Sequence, residues 1–229
     1  MIAPWASEVN FVKLIYTKET ANSAQVVLIL AHGAGAPADS PFMEALACAL
    51  EQEGIACVRF EFPYMQKRRD DGRKRPPDRQ PKLLDCFSEV VDQVKGALGP
   101  DIRLLVGGKS MGGRMASILA ADKPGIDGVV CFGYPFHPPG KLDRWRIDHF
   151  SSIPVPMLVL QGTRDPFGKP DEVRERVSEL GGVSVQWLEG GNHDYSAPVR
   201  LKRSQQDLID EAASETMRFV QQAIIGRTD

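Results

Sequence analysis

Between Leu104 and Ser117 the chain reads LLVGGKSMGGRMAS: an apolar run, a cluster of glycines around one serine, then a run of helix formers. Few local structures accept that order. One is a phosphate-binding loop, because Gly108-Lys109-Ser110 matches the end of G-x-x-x-x-G-K-[ST]. That loop needs a glycine where Arg103 stands, and Leu104-Leu105-Val106 suits a buried strand better than an open loop whose amides wrap phosphates. Read as G-x-S-x-G over Gly108 to Gly112, the same residues fit a strand, a tight turn and a helix in succession, with Ser110 raised on the turn as a nucleophile. The glycines then have a steric reason, since side chains at Gly108 and Gly112 would collide with the neighbouring strand and helix.

The rest of the chain surrounds this turn with a regular alternation. Apolar runs at Phe11–Tyr16, Val26–Ala31, Ala56–Phe60, Arg103–Gly107, Gly128–Phe132, Met157–Gln161 and Ser184–Leu188 have strand character. Helical spacing marks Phe42–Glu53, Pro81–Leu98, Met111–Ala121, Pro170–Leu180 and Gln205–Ile225. This pattern predicts an α/β fold, a mostly parallel sheet of about seven strands flanked by helices. A chain of 229 residues without repeats or low-complexity linkers is expected to form a single α/β domain over residues 1–229. With 42% apolar residues, 25% charged residues and a net charge of -2, the composition is that of an ordinary globular protein and not of a disordered chain or a basic nucleic-acid binder. No segment is long and apolar enough to span a bilayer and no leader pattern opens the chain, so a cytoplasmic location without membrane contact is expected. Cys48, Cys57, Cys86 and Cys131 lie in apolar patterns without C-x-x-C spacing and are expected to be reduced core thiols, with no zinc and no disulfide.

In parallel sheets the chemistry gathers in the loops at the carboxyl ends of the strands. Three such loops carry suitable residues: His32-Gly33-Ala34-Gly35-Ala36, Gly162-Thr163-Arg164-Asp165-Pro166 and Glu189-Gly190-Gly191-Asn192-His193-Asp194. Each residue taken singly has a bland reading, Asp165 as a turn former before proline and His193 as a polar loop residue. Jointly, Ser110, Asp165 and His193 occur at the required strand ends in the order nucleophile, acid, histidine, which favours catalysis. Ser110 is then the nucleophile, His193 the general base and acid, and Asp165 the carboxylate that orients the imidazole, with Asp194 a weaker candidate for the acid. The oxyanion would take the backbone N–H groups of Met111 and Ala34. His32 is expected to pin the loop as a structural hydrogen-bonding group.

The HGAGA loop, GKSMG, GTRDPFG and GGNHDY together resemble the α/β-hydrolase superfamily over nearly the whole chain. RFEFPYM with the basic stretch after it, and GYPFHPPGK, resemble more narrowly its compact dienelactone-hydrolase-like branch, similar to a testis-expressed mammalian protein and a subunit of the non-specific-lethal chromatin complex. The resemblance implies the α/β-hydrolase fold and a serine hydrolase acting on a carboxylic ester or thioester. Ser110 stands where dienelactone hydrolases carry cysteine, so a dienelactone substrate is not implied. The two other functional readings are a catalytically silent interaction module and a peptidase or amidase. Only a short segment separates Phe132 from Met157, a loop with one short helix around Leu142–Phe150, so no full cap domain and a rather open site are expected. Lys109, Tyr134 and His137 are candidate substrate-binding residues, with Phe136 and Trp145 beside them. The segment 66–82 carries eight basic side chains against three acidic ones. It is expected to be a solvated loop, with steering of an anionic substrate or binding of an acidic partner as sharper alternatives. It lacks the interleaved aromatics of a nucleic-acid site. Nothing in the sequence requires a metal or an organic cofactor, and the expected partner is a small-molecule ester or thioester.

Overall fold

The computed structural model describes residues 12–17, 24–178 and 180–226. Seven strands form one sheet in the order β1-β3-β2-β4-β5-β6-β7. They are β1 (Leu14–Tyr16), β2 (Val26–Ala31), β3 (Ala56–Phe60), β4 (Arg103–Lys109), β5 (Gly128–Phe132), β6 (Met157–Gly162) and β7 (Val183–Leu188). Only β1 runs antiparallel to its neighbour, with Leu14 opposite Phe60. The helices are α1 (Pro41–Gln52), α2 (Pro63–Asp71), α3 (Gln80–Lys95), α4 (Met111–Asp122), α5 (Pro170–Ser178) and α6 (Gln205–Phe219), the last continued by a π-turn over Val220–Ile225.

The central strands are buried on both faces, as near-continuous runs such as VVLILA and GVVCF demand. One hydrophobic cluster joins alternate sheet residues such as Ile29, Val106 and Val129 to α3 and α4; the other joins Leu28, Leu105 and Val130 to α1 and α6. The mostly parallel sheet expected from the sequence is therefore the sheet observed. Of the expected first strand, Phe11 lies outside the described residues, as does Glu179 in the expected helix Pro170–Leu180.

Three expectations need correction. The basic segment 66–82 is not one loop: it begins inside α2, which Pro63 opens and Gly72 closes in the left-handed conformation, and it ends inside α3. Cys48 is exposed, because the periodicity of α1 turns Met43, Leu46, Ala47 and Leu50 inward and leaves position 48 outside; Cys57, Cys86 and Cys131 are buried. The expected short helix near Leu142–Phe150 is reduced to a 3₁₀ turn at Phe150–Ser152, and among the described residues no cap domain stands over the sheet. Among the described residues no helix is long and apolar enough to cross a membrane, and no cluster of three or more acidic, histidine or cysteine side chains is built to hold a metal.

A close backbone approach constrains the β4–α4 turn. A Cβ on Gly112 would lie 2.4 Å from the Ala31 oxygen and 2.7 Å from the His32 oxygen, both backbone atoms. Gly112→Ala should therefore lower Tm by roughly 3–10 °C, from an overpacking cost of about 1–3 kcal/mol. Gly35, which has nothing within 4 Å of its Cβ position, is the control. Thermal unfolding of both variants checks this, and an unchanged Gly112→Ala midpoint would contradict so close an approach.

Candidate active site

Ser110 joins β4 to α4 with φ 52 and ψ -114, a conformation that L residues rarely adopt. Its own N–H donates to the Phe132 oxygen at 3.0 Å, which holds the turn on β5. Glycine is required around it because the chain passes against backbone: Cβ atoms on Gly107 and Gly108 would lie 2.2 Å from the Val130 oxygen and 2.5 Å from the Ala31 oxygen. Strain of this kind costs on the order of 1–3 kcal/mol and persists because the packing around it permits nothing else. Its result is a serine lifted out of the sheet at the start of a helix.

His193 reaches Ser110 from the loop after β7, where Gly190 takes a left-handed turn (φ 77). The Asn192 side-chain oxygen accepts the N–H groups of Asp194 and Ser196 and fixes the bend. His193 Nε2 lies 2.8 Å from Ser110 Oγ, and Nδ1 lies 2.8 Å from Asp165 Oδ2. Asp165 is fully buried. A buried carboxylate needs partners, and this one also accepts from Gln161 Nε2 at 2.9 Å and from the Phe167 N–H at 2.9 Å. With Asp165 accepting at Nδ1, the imidazole carries its proton there and turns a lone pair toward the serine hydroxyl. The Phe167 ring packs 4.4 Å from the His193 ring, centroid to centroid. The two loops meet so closely that a Cβ on Gly162 would sit 2.3 Å from the Gly191 oxygen. Asp194, the alternative acid, points away: its side chain is 71% exposed and lies 3.6 Å from Lys109 Nζ.

The loop after β2 closes the other side. His32 is buried and its pKa is lowered by burial, against the opposing pull of its bond to Gly33. The neutral ring donates from Nδ1 to the Gly33 oxygen at 2.7 Å and accepts the Phe62 N–H at Nε2, 3.1 Å away. From α2, the Tyr64 hydroxyl donates to the Ala34 oxygen at 3.0 Å and Arg68 donates to the Gly35 oxygen at 3.1 Å. Three successive carbonyls are thus held from one side. Gly33 backs onto the elbow, its Cβ position 3.6 Å from Lys109 Cγ and 3.9 Å from Ser110 Cβ. Ala34 follows directly, and Met111 opens α4, where first-turn amides lack intrahelical acceptors.

The other candidate residues serve differently. Tyr134 and His137, expected as walls of the site, are buried at 0% and 1% exposure. Tyr134 donates to the Arg146 oxygen at 2.8 Å, and His137 faces Glu172 at 3.2 Å. Both brace the loop after β5 and offer no surface to a substrate. Lys109 is also buried; its ammonium donates to the His193 oxygen at 2.5 Å and stands 5.4 Å from the centre of the Phe42 ring. It ties the elbow to the histidine loop, and burial pulls its pKa down while Asp194 and Asp165 push it up. Sequence reasoning missed Tyr64, Gln161 and Phe167. Gln161 had a signal, as a lone amide ending the apolar run MLVL. A cavity of about 440 Å³ lined by Pro156, Gly182 and Phe219 lies at the amino-terminal edge of β6 and β7, the far edge from Ser110.

Residues 24–221 match the family described as an alpha/beta hydrolase domain. The fold is shared with the dienelactone hydrolase from Anabaena variabilis (TM-score 0.68, 20% identity, covering 89% of this chain and 88% of that one). It is shared as well with Est1E from Butyrivibrio proteoclasticus (TM-score 0.66, 17% identity, 92% and 96%). A third is an alpha-beta serine hydrolase homologue from Coxiella burnetii (TM-score 0.66, 16% identity, 95% and 92%). With a family match across most of its length and the fold to go with it, this chain belongs to the α/β-hydrolase family.

Proposed function

We propose that the protein is a serine hydrolase that cleaves a carboxylic ester or thioester of a small to medium substrate through an acyl-enzyme intermediate. The observation that carries this reading is the unbroken hydrogen-bond relay from buried Asp165 through His193 to Ser110 Oγ. A serine hydroxyl is a weak nucleophile at neutral pH and needs such a base. His193 Nε2 takes the hydroxyl proton as Ser110 Oγ bonds to the carbonyl carbon. The carbonyl π pair moves onto oxygen, and the anion is met by the N–H groups of Met111 and Ala34. Collapse of the tetrahedral intermediate expels the alcohol or thiol, which receives the proton from the imidazolium. Water then repeats the sequence on the acyl-enzyme and frees Ser110. Asp165 stays ionised throughout, fixing the tautomer and balancing the imidazolium charge.

The absence of a cap over the sheet favours substrates of modest size, and the family membership favours hydrolysis over a purely scaffolding role. No observation favours the interaction-module or peptidase readings in particular.

Four variants test the roles in an assay with 4-nitrophenyl acetate and an acyl thioester. Ser110→Ala should lower kcat by about 10⁵-fold or more, and Asp165→Asn by about 10⁴-fold, while Asp194→Asn stays within about threefold. A dead Asp194→Asn beside an active Asp165→Asn would move the acid. Tyr64→Phe, which frees the Ala34 carbonyl, should cut kcat by about tenfold with KM within about twofold, since a misplaced oxyanion donor harms the transition state more than the ground state. Equal loss in both constants would assign Tyr64 to substrate binding.

A further inference from the structure

Lysine is among the residues least often buried, because its ammonium gives up water and needs a partner in return. Lys109 is nevertheless only 7% exposed, and it stands beside Ser110 in the elbow. Four elements enclose it. Its Cγ lies 3.6 Å from the Cβ position of Gly33 in the loop after β2, and its Nζ lies 3.2 Å from that of Gly133 in the loop after β5. The Phe42 ring of α1 faces the ammonium at 5.4 Å, and the loop after β7 supplies its acceptor. Among the described residues the one carboxylate within ion-pair distance is Asp194 at 3.6 Å, and its side chain is exposed, so water weakens the pair. The closest partner of this buried cation is neutral: the His193 carbonyl oxygen, at 2.5 Å.

The rest of the histidine loop is held at other points. The Asn192 N–H donates to the Ser196 oxygen at 3.1 Å, the Tyr195 N–H to the Asn192 oxygen at 3.0 Å, and Gln205 Nε2 to the Asp194 oxygen at 2.6 Å. Among the described residues the main chain of His193 itself has one hydrogen bond, the one from Lys109. Its ring is held separately, by Asp165 and by Ser110. Residues 109 and 110 are consecutive, so a single turn of backbone grips the histidine twice, at its carbonyl through Lys109 and at its ring through Ser110. A methionine would fill the same space without the cost of desolvating a charge. What the ammonium adds is a donor that reaches that carbonyl.

We propose that Lys109 is a positioning residue for the hydrolytic reaction: by holding the His193 carbonyl from the elbow, it sets the separation between the imidazole Nε2 and Ser110 Oγ. Its effect on turnover rests on the esterase reading; its effect on geometry does not. Lys109 touches no reacting atom and acts through His193. A general base works within about 2.6–3.2 Å of the group whose proton it takes, and a displacement on the order of 1 Å can cost about a hundredfold in rate. Without the ammonium the His193 carbonyl is released, and the loop relaxes away from the serine while Asp165 keeps Nδ1. The acyl group still meets Ser110 and the neighbouring loops, so the loss falls on kcat and leaves KM nearly unchanged.

Three substitutions and one structure test this. Lys109→Met keeps the length of the side chain and removes the donor, Lys109→Gln carries a donor that falls short of the carbonyl, and Lys109→Arg keeps both donor and charge. With 4-nitrophenyl acetate, the folded methionine and glutamine variants should lose about tenfold to a hundredfold in kcat with KM within about threefold, and Lys109→Arg should recover most of that loss. In a crystal structure of Lys109→Met, His193 Nε2 should stand beyond hydrogen-bond reach of Ser110 Oγ. A kcat within about twofold of wild type in both variants, or an Nε2 to Oγ separation still at 2.8 Å, would overturn the assignment. So would a rise in KM that matches the fall in kcat, which would give Lys109 a substrate contact, or a chain that folds with neither substitution, which would make the lysine a requirement of folding. A wild type that turns over no ester, beside a displaced histidine in Lys109→Met, would defeat the esterase reading and leave the positioning role standing.

Discussion

Everything at the candidate site depends on how closely β4 and α4 pass the backbone of their neighbours. The Ala31 oxygen stands where side chains at 108 and 112 would begin, and the Val130 oxygen where one at 107 would begin. Removing those side chains lets the chain turn within one residue, and the residue that takes the turn is Ser110 at φ 52. The same approach brings the loop after β2 beside the serine, since Ala31 is the last residue of β2 and His32 follows it. Ser110, His193 from the loop after β7 and Asp165 from the loop after β6 can then converge from separate strands because the parallel sheet delivers all three loops to one edge.

That convergence explains why so much was legible in the sequence. The turn announces itself by four glycines around one serine, and the strands by apolar runs whose carboxyl ends are marked by Gly162 and by the Gly190-Gly191 pair. Pattern and spacing suffice for these because sterics act locally along the chain. What was not legible is what depends on direction in space. Tyr134 and His137 sit in the loop where a substrate wall was expected, yet tertiary contacts turn both inward, one to the Arg146 carbonyl and the other to Glu172. The helix α2 was missed because only Tyr64 and Met65 are buried among its charged residues, so no apolar stripe runs along it. Its ends, Pro63 and Gly72, were the readable signals. The exposed Cys48, in contrast, follows from helical periodicity and was within reach of the sequence.

Charge is used here chiefly to hold shape. Lys109 spans from the elbow to the His193 carbonyl, Arg69 gathers Asp39 and Glu61, and Arg68 holds the loop that flanks the serine. Against that background a carboxylate sealed from solvent, Asp165, is the exception. It costs folding energy that a neutral residue would not. Gln161, the Phe167 amide and His193 compensate it.

The central claim is that Ser110 is an activated nucleophile beside a working base. Labelling the folded protein with a fluorophosphonate probe, beside Ser110→Ala, and identifying the modified peptide by mass spectrometry tests it directly. The account predicts one covalent adduct, on Ser110, formed by wild type and absent from the variant. A folded wild type that stays unlabelled, or an adduct on another residue, would contradict it.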